Sequence, residues 1–201
     1  MSVVSKGLEG IVAAETRLGE VKGAEGVLFY CGYDINELVK VSYEEVVHLL
    51  YYNKLPNRAE LEKLTTALRA ERELPQGVID FLKHAPKTAR PIDVMRTAVS
   101  MLGCYDLTRH DIDVSENLAT AIRLTSQIGV IAAYFHRSRQ GLELPPVRKD
   151  LSEAAHFLYL MNGEVPSKEA EKTLDIAYIL HAEHGFNAST FTARVVASTL
   201  S

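Results

Sequence analysis

His181 and His184 stand three residues apart in the stretch Ala177-Tyr-Ile-Leu-His181-Ala-Glu-His184-Gly-Phe-Asn187-Ala-Ser-Thr190-Phe-Thr-Ala-Arg194. On a helix that spacing puts both rings on roughly one face. Gly185 breaks the helix at once, and Asn187 is a good N-cap for a new helix opened by Ala-Ser-Thr. Imidazoles therefore gather at the end of one helix, close to the start of the next. A protonated His is favoured at a helix C-terminus, and N-terminal N–H groups attract anions. The chemistry this suits is hydrogen bonding to a small carboxylate. The residues alone also allow a structural role, with each ring satisfying a helix-end carbonyl. No metal is expected: His-Ala-Glu-His is neither the His-Glu-x-x-His nor the His-x-x-Glu-His zinc motif, and no third ligand is in evidence. Glu183 would face away from both rings on a helix, as a cap or supporting residue.

Elsewhere the sequence holds no nucleophile elbow, Walker loop or dinucleotide-binding glycine turn. Arg96, Arg123 and Arg148 could each grip a carboxylate or phosphate, or simply form surface ion pairs. His48, His84, His110, His136 and His156 are scattered and read as structural.

These residues must be positioned by a chain of 201 residues, 47% hydrophobic and 24% charged, with a net charge of -4. That is one ordinary domain with a real core. Lys and Arg form no basic patch, so nucleic acid is not an expected partner. Cys31 and Cys104 sit in apolar contexts and read as buried thiols in a reducing compartment. No unbroken apolar run approaches the ~18 residues of a membrane span, and the N-terminus shows no secretory or transit character. The cytoplasm is the expected location.

The β-like part lies within residues 7–33. Leu18 to Val21 and Val27 to Tyr30 read as two strands around the turn Lys22-Gly-Ala-Glu-Gly26. Beyond Tyr33 the apolar period is helical. Ser42-x-x-Glu45 and Asn57-x-x-Glu60 are capping boxes. Pro75 and Pro91 sit where first helical positions would be, and Gly103 closes the helix begun at Pro91. A polar loop follows over 104–114. A long helix is expected from about Ser115 to Gln140. Asp150-x-x-Glu153 caps the next, and Ser167 caps a helix from Lys168 to His184. Ile92 to Leu102 and Ala188 to Leu200 are apolar on more than one face, which suggests helices buried between subunits.

The His181 to Thr190 segment resembles the His-Ala-Asp-His-x-x-Asn-Ala-Ser-Thr segment of the citrate synthase family. The likeness runs nearly the whole chain. It includes Gly-Leu-Glu-Gly10, Gly32-Tyr-Asp-Ile-Asn-Glu-Leu38, Pro91-Ile-Asp-Val-Met-Arg-Thr-Ala-Val-Ser100 and Pro146-x-Arg-x-Asp-Leu-Ser-x-Ala-Ala-x-Phe-Leu-Tyr159. Two departures stand out: Arg90 where the family has His, and His156 where it has Asn.

The resemblance implies an all-α fold, a citrate synthase-like large helical domain with a small N-terminal β-hairpin. It implies condensation of acetyl-CoA with oxaloacetate to give citrate and CoA, with no cofactor beyond the CoA thioester and no metal. His184 matches the family's oxaloacetate-binding His, and His181 and Asn187 match positions close to it. The family's Gly-Pro-x-His-Gly-Gly-Ala-Asn, Gly-His-Arg-Val and Asp-Phe-x-Ser-Gly segments do not occur in these 201 residues. They would carry the remaining histidines, the catalytic Asp and most of the arginines, so no catalytic residue is expected before Ser201. Residues 1–201 are accordingly read as the N-terminal part of the large domain. A homodimer is expected, with a complementary C-terminal half as a further partner. The alternatives are a 2-methylcitrate synthase using propionyl-CoA and a non-catalytic helical dimerisation fragment.

Overall fold

The computed structural model describes residues 14–106 and 114–198. The 104–114 loop, Gly7, Gly10 and Leu200 therefore fall largely or wholly outside the described residues.

The N-terminal β segment is a three-stranded antiparallel sheet, β1 (Gly19–Lys22), β2 (Val27–Tyr30) and β3 (Tyr33–Asp34), in that order. The expected hairpin is present, with Gly19 opposite Tyr30 and Lys22 opposite Val27. The third strand was not anticipated, being two residues long and tied to β2 through Tyr30 and Phe29. Asp34 then caps the short helix α1 (Ile35–Leu38) by accepting from Asn36 N at 2.8 Å.

Helix starts follow side-chain chemistry. Glu45 accepts from Ser42 N at 2.7 Å and Ser42 Oγ from Glu45 N at 3.3 Å, opening α2 (Tyr43–Tyr52). Asn57 and Glu60 reciprocate in the same way, at 2.9 Å each, to open α3 (Arg58–Ala70). Pro75 lies just ahead of α4 (Gln76–His84), and Pro91 is the first residue of α5 (Pro91–Tyr105). α5 passes through Gly103 rather than stopping there. α6 (Val114–Gln140) is the long helix expected. The next, α7 (Glu153–Asn162), is capped by Ser152 and not Asp150. Asp150 is engaged elsewhere: its two oxygens accept from Arg148 at 2.7 and 2.5 Å. Ser167 caps α8 (Lys168–Leu180), and Asn187 caps α9 (Ala188–Ala197).

By length and composition Asn117–Gln140 would suffice to cross a membrane, a property missed by counting unbroken apolar residues. The fold gives this stretch another job. α3, α4, α5 and α7 all pack on α6. Val130, Ile131, Ala133 and Phe135 are buried there against Val78, Leu82, Ala98 and Leu160. A smaller cluster joins Tyr30, Leu38, Val46 and Leu49 to Ile179 of α8, so the sheet is bolted to the end of that helix.

Buried charge sits between α3 and α7. Arg72 is wholly buried and donates to Glu153 Oε1 at 2.6 and 3.2 Å and to the carbonyls of Arg148 and Leu151 at 2.5 and 3.0 Å. Glu44 in turn accepts from Glu153 N at 2.9 Å. Burial raises both carboxyls above the usual range, against the pull of Arg72.

His156 is buried beside them, its Nε2 without a hydrogen-bond partner. Burial, helped by the Arg72 charge, holds its ring down at about 3 against an ordinary 6.5. As pH falls below the ordinary value, the unfolded chain takes a proton that the folded one refuses, so stability drops. Raised carboxyls act in the opposite sense. His156→Asn is therefore expected to lose less stability than the parent between about pH 7 and about pH 5 in urea titrations. Equal losses in the two proteins would contradict this.

Candidate functional site

α8 ends at Leu180, one turn earlier than its sequence suggests. His181 is its C-cap residue, at φ -108 and ψ 3, and His184 lies beyond the helix in a bend. The two rings therefore do not share a helical face as expected. The cause is Tyr30. Its hydroxyl donates to Ile179 O at 2.9 Å and accepts from Glu183 N at 3.3 Å. In a continuing helix those two backbone groups would bond each other. A side-chain hydroxyl inserted between them ends the ladder. Burial pushes the Tyr30 hydroxyl up, so it stays protonated and able to donate.

His181 turns back on its own helix, its Nδ1 lying 2.7 Å from Ala177 O. A carbonyl only accepts, so Nδ1 carries the proton. The neutral ring then offers a lone pair at Nε2, and only the imidazolium can donate there to a carboxylate. His184 is exposed, and among the described residues nothing bonds its ring. The Glu183 carboxylate accepts from Gly185 N. Gly185 takes φ 89, a left-handed conformation that glycine adopts without strain. Asn187 N then donates to Gly185 O at 3.0 Å.

Asn187 does what its type suggests: Oδ1 accepts from Thr190 N at 2.8 Å. That commits the oxygen to the cap, while the amide nitrogen remains a donor. The first-turn N–H groups of Ala188 and Ser189 have no intrahelical partner. Phe186 in the link lies under the Arg194 guanidinium at 4.3 Å. α9 has no buried residue, and Val195 and Val196 are 51% and 59% exposed.

The other sequence candidates are occupied elsewhere. Arg96 pairs with Asp93 at 3.4 Å, Arg123 with Glu71 at 3.2 Å and Asp106 at 3.4 Å, and Arg148 with Asp150. Arg90, at the start of α5, pairs with Asp93 at 2.7 Å. A cavity of ≈ 290 Å³ between α2, α6, α7 and α8 is lined by Tyr43, Ser126, His156 and Tyr178, none of them from the bend. No group of three metal-binding side chains gathers among the described residues. Sequence reasoning missed Tyr30. Its only local signal was a Tyr at the end of a strand.

A family model described as "Citrate synthase, C-terminal domain" matches residues 7–201. The chain belongs to the citrate synthase family. It is 41% identical over 203 residues to a citrate synthase of Haloferax volcanii, covering 98% of this chain and 54% of that one. It is 43% identical over 197 residues to a 2-methylcitrate synthase of Shewanella oneidensis, covering 97% and 52%. Among solved structures, the citrate synthase of Thermoplasma acidophilum, in a ternary complex with carboxymethyl coenzyme A and oxaloacetate, superposes with a TM-score of 0.91 at 27% identity. That match covers 100% of this chain and 53% of the other. The chain thus spans about half the length of the citrate synthases it matches. The mostly helical fold expected from the resemblance is the fold found, and the family placement agrees with the motifs that suggested it.

Proposed function

We propose that this chain supplies part of the oxaloacetate-binding surface of a citrate synthase-type condensation, with His184 as its principal contact. The observation that carries this is an exposed imidazole with no hydrogen-bond partner among the described residues, three residues ahead of Asn187, the cap of α9. Imidazole and backbone N–H groups can together donate to a small dicarboxylate. His181 and Asn187 flank it, the first as a donor when protonated, the second through its amide nitrogen. In the reaction, the methyl carbon of acetyl-CoA adds to the ketone carbon of oxaloacetate. Water then cleaves the thioester, giving citrate and CoA. The groups that move protons are expected in the C-terminal half of the catalytic unit. No metal and no cofactor beyond the CoA thioester is called for.

The bare face of α9, with exposed Ile92 at the start of α5, is proposed to pack in a homodimer and against that complementary half. The cytoplasm is the proposed location. A second reading is favoured by the 43% identity to a 2-methylcitrate synthase: propionyl-CoA replaces acetyl-CoA at the same site. The test uses the chain combined with a complementary C-terminal half from a family member. CoA release from acetyl-CoA and propionyl-CoA is measured, alongside sedimentation. Faster release from acetyl-CoA by a dimer is expected. Preference for propionyl-CoA would favour the second reading. A dimer with neither activity would leave only a helical dimerisation module.

A further inference from the structure

We propose that Tyr30 and Glu183 are positioning residues that together hold His184 in its ligand-facing bend. This rests on the reading of His184 as an oxaloacetate contact. Three backbone groups around His184 are fixed from outside the helix. The N–H before it, of Glu183, donates to the Tyr30 hydroxyl at 3.3 Å. The N–H after it, of Gly185, donates to the Glu183 carboxylate. The Gly185 carbonyl then accepts from Asn187 N at 3.0 Å, joining the bend to the cap of α9.

The sheet makes room for this arrangement. A Cβ at Gly19 would sit 2.8 Å from Glu183 Cγ and 3.3 Å from Oε1. Gly19 is the β1 residue opposite Tyr30, so one strand pair presents both the hydroxyl and the space. Tyr30 is itself fully buried among Leu38, Leu49 and Ile179, and its ring cannot swing away. The bend is thus carried by a packed sheet more than 140 residues away in sequence, as the separation of 149 between Tyr30 and Ile179 records. Without the hydroxyl, Glu183 N and Ile179 O can pair directly. The helix then gains a turn and carries His184 round onto its surface.

The test is made on the full chain with Tyr30→Phe, Glu183→Ala, Glu183→Asp and His184→Ala. Amide NMR spectra are recorded first without ligand, then through a titration with oxaloacetate. Tyr30→Phe removes one hydroxyl, and Glu183→Ala removes the acceptor for Gly185. Both should move the Gly185 amide resonance and weaken oxaloacetate about fivefold, the worth of one hydrogen bond. Glu183→Asp should restore both, because an Asp side chain reaches the N–H two residues on. A purely structural role would not give that rescue. A Gly185 resonance unmoved in Glu183→Ala overturns the proposal. So does parental affinity in Tyr30→Phe and Glu183→Ala while His184→Ala binds less well. If the Gly185 resonance moves but His184→Ala also binds like the parent, the role of His184 fails, and the positioning role with it.

Discussion

Arg72→Ala should cost the fold about 3–5 kcal/mol, measured as the loss of unfolding free energy in urea. Arg72 is wholly buried and is the donor to Glu153 Oε1 and to two carbonyls. Truncating it strands an acidic group and two acceptors away from water. The damage exceeds the net worth of the pair, because an uncompensated buried charge is what remains. Replacing both partners together, as Arg72→Met with Glu153→Leu, should recover much of the loss. The Arg72→Ala deficit should also depend on pH. With the guanidinium gone, burial, aided by the Glu44 charge, is opposed only by Arg69, and the folded Glu153 carboxyl rises further. A raised carboxyl contributes stability at low pH that is lost as pH rises through the folded value. The deficit should therefore be smaller at about pH 5 than at about pH 8. A loss below about 1 kcal/mol at neutral pH would show the pair to be dispensable.

None of this was legible in the sequence, since Arg72 and Glu153 are 81 residues apart and nothing local marks either as buried. What was legible is what neighbouring residues decide. The Ser42 and Asn57 capping boxes, Pro91 at the head of α5 and the glycine turn between β1 and β2 stand as expected, and Pro75 is one residue off, at the N-cap of α4. Errors fall where a distant or competing partner intervenes. Asp150 looks like a cap, but Arg148 takes its carboxylate and the helix opens at Ser152. α5 runs past Gly103 to Tyr105, whose hydroxyl fills the space a Cβ at Gly77 would need. The apolar period of α8 continues to His184, and the strand hydroxyl that stops the helix at Leu180 is remote in sequence. His181, His184 and Asn187 all lie in the link between α8 and α9, but the backbone that presents them departs from the expected helix by a turn.

His184→Ala has the second large expected effect. The exposed ring makes no structural bond among the described residues, so its loss should leave stability nearly unchanged. A charge-assisted hydrogen bond to a dicarboxylate contributes roughly 1.5–3 kcal/mol, or about ten- to a hundredfold in affinity. This separation of binding from stability is the mirror image of Arg72→Ala. It follows from burial alone, since one side chain is sealed in the core and the other stands free. On the proposed reading, in which a further half completes the site, binding of oxaloacetate by the chain alone should be weak.

The decisive measurement is citrate formation from oxaloacetate and acetyl-CoA by the chain combined with a complementary C-terminal half, with and without His184→Ala. The expected result is turnover in the combined protein, none by this chain alone, and a loss of at least about tenfold in kcat/KM for oxaloacetate on replacing His184. Unchanged kcat/KM in a folded His184→Ala assembly would contradict the account and leave His184 as a bystander in the link after α8.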